Sequence, residues 1–366
     1  MSDEKAVAVD NSAIIFRGLE KDEISKWAQF CVSCFSNKAN PPDAAYFERH
    51  YFNDPRRDSN LIRVAIDTKT DEIAASTRIF QRTVSIGTCQ SGESQTAEAG
   101  GIGEVCTAVS YRRRGLANVL LKDAIKIMQD DLSVSLSLLH ADSSFFPVYE
   151  KQGYSCTLSR WSTVNLNVRS LFQSATLSSK FCIRDAQFPN DTEQLQALHK
   201  AYSEDQFVGC IVRSKEYWNS YLSKELDGTF FVLVDSASND RVLAWISLRF
   251  KNGKYIVRDF GADFNGEEVT SVSSFVWLLK YALSKFFTGN ESVIPDDDTA
   301  TLQLPTVLCD SLNINCECGI DWSDSAPADD SGWMWRKIAN GEEPGYIDMN
   351  ELAKQMPHLI WPADSF

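Results

Sequence analysis

The sequence predicts an α/β (α+β) protein built as two similar halves, each a mixed sheet flanked by helices. Three observations carry that expectation. The chain has 366 residues, more than one hydrophobic core usually organises. Its apolar periodicity runs in the order β-α-α-β-β-β-α-β-α-β up to Asn167, and the same order begins again after Lys180. Between them, Arg169 to Lys180 is polar and serine-bearing, the composition of a linker. The expected domains are 1–170 and 180–366.

Ala13 to Arg17 is a candidate first strand. Ile24, Trp27, Ala28, Cys31 and Phe35 then fall on one side of a helix, which Asn40-Pro-Pro-Asp ends. Ala44 to Phe52 reads as a short aromatic helix. Leu61 to Asp67 and Glu72 to Ser85 alternate as strands around the polar turn at Thr68, and Gln90 to Gly100, small and polar, reads as an exposed loop. Ile102 to Val109 is a β-rich run that enters an arginine-rich turn. Gly115 then opens a helix with Leu120, Leu121, Ala124, Ile125 and Met128 on one face. Val134 to His140 is a further buried strand, Phe145 to Gly153 a short helix with Pro147 near its start and Gly153 at its stop, and Tyr154 to Asn167 the closing strands.

In the second half, Phe181 to Asp185 is strand-like, Thr192 to Tyr202 and Ser214 to Leu226 helix-like, and Thr229 to Asp235, Val242 to Phe250 and Lys254 to Phe260 alternate as strands. Glu267 to Phe287 is a long amphipathic helix. Where the first half has its arginine turn, the second has Gly261-Ala-Asp-Phe-Asn-Gly-Glu-Glu, with no arginine and two glutamates in sequence. No lysine or arginine lies between Lys285 and Arg336, and that acidic region, 296–330, reads as a solvated loop or as a wall that concentrates cations.

Composition narrows the partners. The net charge of -14 would repel a phosphate backbone and argues against nucleic acid, while it would draw in cationic substrates. The polar acidic start is unlike a signal peptide, and no apolar run is long enough to cross a bilayer. Together with ten cysteines lacking regular spacing, this suggests a reducing, cytoplasmic setting without membrane attachment. Cys31-x-x-Cys34 and Cys316-x-Cys318 lack the partner ligands a structural zinc site needs, so no metal is expected and Cys31 and Cys34 read as core residues.

The turn after Val109 has the chemistry of an anion site. Backbone N–H groups at a helix N-terminus have no intrahelical partner, and the helix dipole adds positive charge there. Gly115 permits close approach of a phosphate, and arginines add formal charge. The order Arg112-x-x-Gly115-x-Ala117 resembles the acetyl-coenzyme A loop of the GCN5-related N-acetyltransferases, Gln/Arg-x-x-Gly-x-Gly/Ala. Downstream, Phe145-Phe-Pro-Val-Tyr-Glu-Lys-Gln-Gly-Tyr154 resembles that family's segment ending in Tyr-Glu-Lys-x-Gly-Phe/Tyr, at the expected distance.

The resemblance implies acetyl-CoA as co-substrate. Its expected contacts are Val105, Cys106 and Thr107 on the central strand, Arg112, Arg113, Arg114, Gly115, Leu116, Ala117 and Asn118 in the turn and helix start, and Asp142 and Phe146 beyond the next strand. Tyr149 stands at the family's position for the acid that protonates the leaving thiolate. A backbone N–H between Val105 and Thr107 is the candidate donor to the oxyanion. An alkyl ammonium must lose a proton before it attacks, and three groups could take it: Glu104, His140 and the terminal carboxylate of Phe366.

Across the whole chain, an active first half joined to a silent second copy resembles the fungal L-lysine N6-acetyltransferases of lysine catabolism. That implies a small cationic amine as substrate, free L-lysine first. A polyamine or aminoglycoside acetyltransferase of the enhanced-intracellular-survival type is the alternative enzyme, and a non-catalytic acetyl-CoA sensor the alternative of another class. The C-terminal run Leu359, Ile360, Trp361 and Phe366 is too apolar for a frayed end and is expected to dock.

Overall fold

The protein is described by a computed structural model that covers residues 11–36, 41–88, 93–174, 177–263, 269–289, 299–312, 320–330, 332–338 and 347–364. Its strands are Ile14–Gly18 (β1), Ile62–Asp67 (β2), Glu72–Thr88 (β3), Ser94–Thr107 (β4), Leu136–His140 (β5), Ser155–Cys156 (β6), Ser159–Asn167 (β7), Phe181–Asp185 (β8), Phe230–Asp235 (β9), Arg241–Lys251 (β10), Lys254–Ala262 (β11), Thr299–Pro305 (β12), Ile320–Asp330 (β13) and Trp333–Lys337 (β14). The helices that shape the first half are Ile24–Phe35 (α1), Ala44–Phe52 (α2), Leu116–Asp130 (α3) and Phe146–Glu150 (α4).

Two seven-stranded mixed sheets result, ordered β1-β2-β3-β4-β5-β14-β6 and β13-β7-β12-β11-β10-β9-β8. Each has the β-α-α-β-β-β-α order that the apolar periodicity announces, so the molecule is a pair of halves with the same element order.

The halves are laced together. β14, late in the chain, enters the first sheet between β5 and β6, pairing Trp335 with Leu138. In return β7 leaves the first half and lies between β12 and β13 of the second sheet. Neither sheet is therefore built from one side of residues 170–180 alone. The closing strands expected at 154–167 are split between the two sheets, and a single-strand hydropathy pattern cannot reveal which sheet a strand joins.

Two further expectations are corrected. Ser94 to Gly100, read as part of a loop, belongs to β4, whose long hairpin with β3 runs to Thr88 and Ser94. The hairpin is bound by the second half: in β3, Ser85 N–H donates to the Cys210 carbonyl at 2.8 Å and the Ser85 carbonyl accepts from Gly209 N–H at 2.8 Å, and in β4 Ser94 bonds Asp205. Within the acidic region, 299–305 and 320–330 are strands on either side of β7, not loop. The remaining acidic residues at 296–298 and Glu317 lie outside the described residues.

The apolar tail docks as expected. Leu359, Ile360, Trp361 and Ala363 are buried, Trp361 completely, and its indole N–H donates to Ser203 Oγ at 3.0 Å. Trp335 Nε1 donates to His358 Nε2 at 3.0 Å, so the imidazole proton sits on Nδ1 and points at Ser159 Oγ, 2.7 Å away. Arg213, fully buried, bonds Asp364 through Nε and Nη2 and Asp259 through Nη1, at 2.7 Å for the last. A guanidinium so enclosed is tolerated only because two carboxylates answer it.

Candidate active site

The site grows from an irregularity in β4. Ser76 pairs with Cys106 but Arg78 pairs with Gly103, so Glu104 and Val105 together oppose Thr77. A β-bulge leaves its extra residue out of the ladder and re-aims the side chains around it. Glu104 takes a left-handed conformation there, φ +54°, which a residue with a Cβ adopts only when its surroundings enforce it. Beside it, β4 and β5 pair in parallel only from Ala99–Leu136 to Gly101–Leu138 and then separate. A cleft of about 830 Å³ opens where they part.

Most of the expected residues meet in this cleft. Val105, Cys106 and Thr107 line it from β4, Arg112, Arg113, Gly115, Leu116, Ala117 and Asn118 from the turn and α3, and Asp142 from the loop after β5; Glu104, His140 and Tyr149 line it too. Arg114 does not line it. Its Nε donates to Asn11 Oδ1 at 3.1 Å and its guanidinium lies 5.2 Å from the Tyr111 ring centre, so it braces the turn from behind. Phe145, which is exposed, takes the place expected for Phe146, which packs into the first-half core. Phe366 lies outside the described residues.

The start of α3 is fit for an anion. Gly115 is its N-cap, left-handed at φ +78°, and no side chain caps the helix. A Cβ built on Gly115 would meet nothing within 4 Å, so the backbone faces open space. The uncapped N–H groups of the first turn, with Arg112 and Arg113 alongside, are the donors a pyrophosphate takes.

The titratable groups divide by role. Burial pushes Glu104 up, Arg78 at 3.6 Å pulls it back and Asp54 adds to the rise, leaving its carboxyl at about 7. Its Oε2 is buried without a hydrogen-bond partner, on a residue that lines the cleft. Burial pushes the Tyr149 phenol to about 12, which keeps it protonated. His140, at the exposed end of β5, stands edge-on to Trp333 with ring centres 4.9 Å apart. Cys106 also lines the cleft, yet burial drives its thiol well up, as does its contact with Cys31. A thiol held protonated is a poor nucleophile.

Sequence reasoning missed what surrounds Glu104. Asp54 accepts from Arg82 at 3.0 Å and lies 3.5 Å from Arg78, all three buried. Arg78 and Arg82 alternate on β3, a pattern that also suits a surface strand, so nothing in the sequence separates the two.

Comparison with known proteins agrees with this architecture. Residues 16–157 match the family model described as Acetyltransferase (GNAT) domain. No curated protein sequence matches the chain. Among solved structures, a probable N-acyltransferase from Enterococcus faecalis is similar with TM-score 0.59 and 12% identity, over 89% of this chain and 73% of that one. A GCN5-related N-acetyltransferase from Anabaena variabilis gives TM-score 0.58 and 16% identity over 89% and 73%. Eis1 from Mycobacterium abscessus gives 0.54 and 12% over 88% and 74%. At these identities the likeness is one of fold, and it extends through both halves. Residues 16–157 thus form a GNAT acetyltransferase domain, set in a chain whose two halves share that fold.

Proposed function

We propose that the chain moves an acetyl group from acetyl-CoA to the side-chain amine of free L-lysine by direct attack. The observation that carries this reading is the pairing, in one cleft, of an uncapped helix start with a buried carboxyl near neutrality. The GNAT match supplies the reaction type, and the acidic balance of the chain suits a cationic acceptor.

The residues divide the work as follows. The first turn of α3, with Arg112 and Arg113, holds the pyrophosphate. The bulge at Glu104 and Val105 offers a backbone N–H to the carbonyl oxygen as negative charge develops there. Glu104 takes the proton of the incoming ammonium, directly or through water. Tyr149 protonates the departing thiolate and is restored by the second proton, which the nitrogen gives up as the amide forms. The carboxylate of Glu104 forms above about pH 7, so turnover rises with pH through that value.

Mass spectrometry of the product tests the reading. With acetyl-CoA and a mixture of L-lysine, polyamines and aminoglycosides, N6-acetyl-lysine is the expected product. The fold likeness to Eis1 favours a second reading, acetylation of polyamines or aminoglycosides; their modification with lysine untouched would decide for it. Coenzyme binding with no turnover on any amine would leave a sensor.

A further inference from the structure

Two arginines of the second half stand at its boundary with the first, with too few carboxylates between them. Arg258 occupies a bulge of β11, since Ser247 pairs with Asp259 and Leu248 with Val257. It is 7% exposed and bonds Glu225, Nη2 to Oε1 at 2.6 Å and Nη1 to the backbone carbonyl at 3.0 Å. Glu225 gives its other oxygen to His50 Nε2 of α2, at 3.2 Å. Arg249 pairs with Ile256 in the register of β10 and β11, so it shares the sheet face of Arg258 and stands diagonally beside it.

Arg249 has no hydrogen bond or ion pair among the described residues, and its Nε is buried without a partner, as is that of Arg258. Burial and the neighbouring Arg258 both lower its pKa. A half-buried guanidinium beside a second cation is unfavourable unless an anion arrives. Glu225, already shared between Arg258 and His50, is the carboxylate whose charge reaches Arg249.

Short contacts lead from this pair to the catalytic carboxyl. The His50 carbonyl accepts from Arg78 Nη2 at 3.3 Å, and Arg78 Nη1 lies 3.6 Å from Glu104, whose Oε2 is buried without a hydrogen-bond partner. The Tyr46 ring lies 4.0 Å from the His50 ring, and its hydroxyl feels both ends: burial, then Glu104 and Glu225, push it to about 12, while Arg249 opposes them. One end of this zone carries the Glu104 carboxyl and the other sets two guanidiniums against the single carboxylate of Glu225.

We propose that Arg249 binds the carboxylate of the acceptor, so that the substrate class is amino acids with a terminal side-chain amine rather than carboxylate-free amines. The anion fixes one end, and the amine extends toward Glu104. A polyamine would bring a second ammonium against Arg249 and Arg258, where like charges repel. The silent half thereby contributes specificity to the reaction run by the other half. This inference rests on the cleft being the lysine-acetylating site proposed above.

L-lysine and cadaverine, which is lysine without its carboxylate, separate the two ideas. By calorimetry on coenzyme A-loaded protein, Arg249→Met is expected to weaken L-lysine by about 10²-fold, as loss of a charge-assisted bidentate contact does, and to leave cadaverine unchanged. Arg249→Lys restores part of the loss. In turnover, KM for lysine rises while kcat moves little. Arg249→Gln replaces the methionine variant where melting shows that one unfolded. Equal weakening of both ligands, or unchanged lysine affinity, overturns the Arg249 role and leaves lysine acetylation standing. Preference of the wild-type protein for cadaverine overturns the lysine reading and this inference with it.

Discussion

The two halves use the same two structural devices to opposite ends. In β4 the bulge presents Glu104, with one carboxylate oxygen unanswered beside the cleft. In β11 the corresponding bulge presents Arg258, tied to Glu225 across the boundary. The helix that follows β4 starts at a glycine with no side-chain cap. The helix Ser271–Gly289, which follows β11, is preceded by Thr270, whose Oγ1 accepts from Ser273 N–H at 3.1 Å while Ser273 Oγ accepts from Thr270 N–H at 3.0 Å. One helix start is left for a ligand; the other is closed by its own chain. The difference teaches that halves of one element order can differ at a helix start through a reciprocal cap that occupies the donors, without any change in strand order.

Buried charge follows the same division. Arg213, Asp259 and Asp364 are fully buried and joined by charge-assisted hydrogen bonds that fasten the tail. Asp364→Ala leaves Arg213 with one carboxylate and is expected to cost about 3–5 kcal/mol, the scale of a broken buried pair. Chemical denaturation checks it. A loss below about 1 kcal/mol would mean that Asp259 alone answers the guanidinium. The same pairing means that removing Pro362 to Phe366 would test stability before catalysis, so removal of Phe366 alone is the cleaner probe of a terminal carboxylate.

Glu104→Gln attacks the reactive bulge and is expected to lower turnover by about 10²–10³-fold with coenzyme affinity retained. The wild-type rise of kcat/KM through about pH 7 should vanish in this variant, because the group that must lose its proton is gone. A profile that keeps its limb would transfer the base to His140 or the chain terminus. Tyr149→Phe is expected to lower turnover by about 10²-fold and to leave coenzyme binding nearly intact. Rapid quench of single turnovers separates this from slow product release.

The turn Arg112 to Ala117 and the helix at Tyr149 were legible because each needs particular residues at fixed short spacing. Glycine stands where φ is positive, proline at a helix start, and arginines beside open N–H groups. The docking of Trp361 was legible from apolarity alone. The exchange of β7 and β14 was not, since alternation gives a strand its two faces but not its neighbours. Nor was the placement of Arg249 near Arg258, which depends on the register of two strands and on a carboxylate, Glu225, from another element. Arg114 was misplaced for a related reason: three consecutive arginines look equivalent in sequence, while the positive φ of Arg113, +62°, turns the chain so that its successor packs on Tyr111.

The smallest expected effect is the sharpest test of the contrast between helix starts. Thr270→Ala removes the hydroxyl that caps Ser271–Gly289 and should cost about 1 kcal/mol of stability, the usual scale for a lost cap. Coenzyme affinity should not change if the pyrophosphate takes the proposed place at the start of α3. Gly115→Thr makes the opposite exchange: it brings a cap-forming side chain to α3, at a left-handed φ where a β-branched residue is strained. That variant should lose coenzyme binding by calorimetry whether or not the hydroxyl caps the helix, since the side chain fills the open space over the first turn. If Thr270→Ala instead altered coenzyme affinity, or gave the protein a second binding event, the closed helix start would be a ligand site after all, and the silence of the second half would need a different cause.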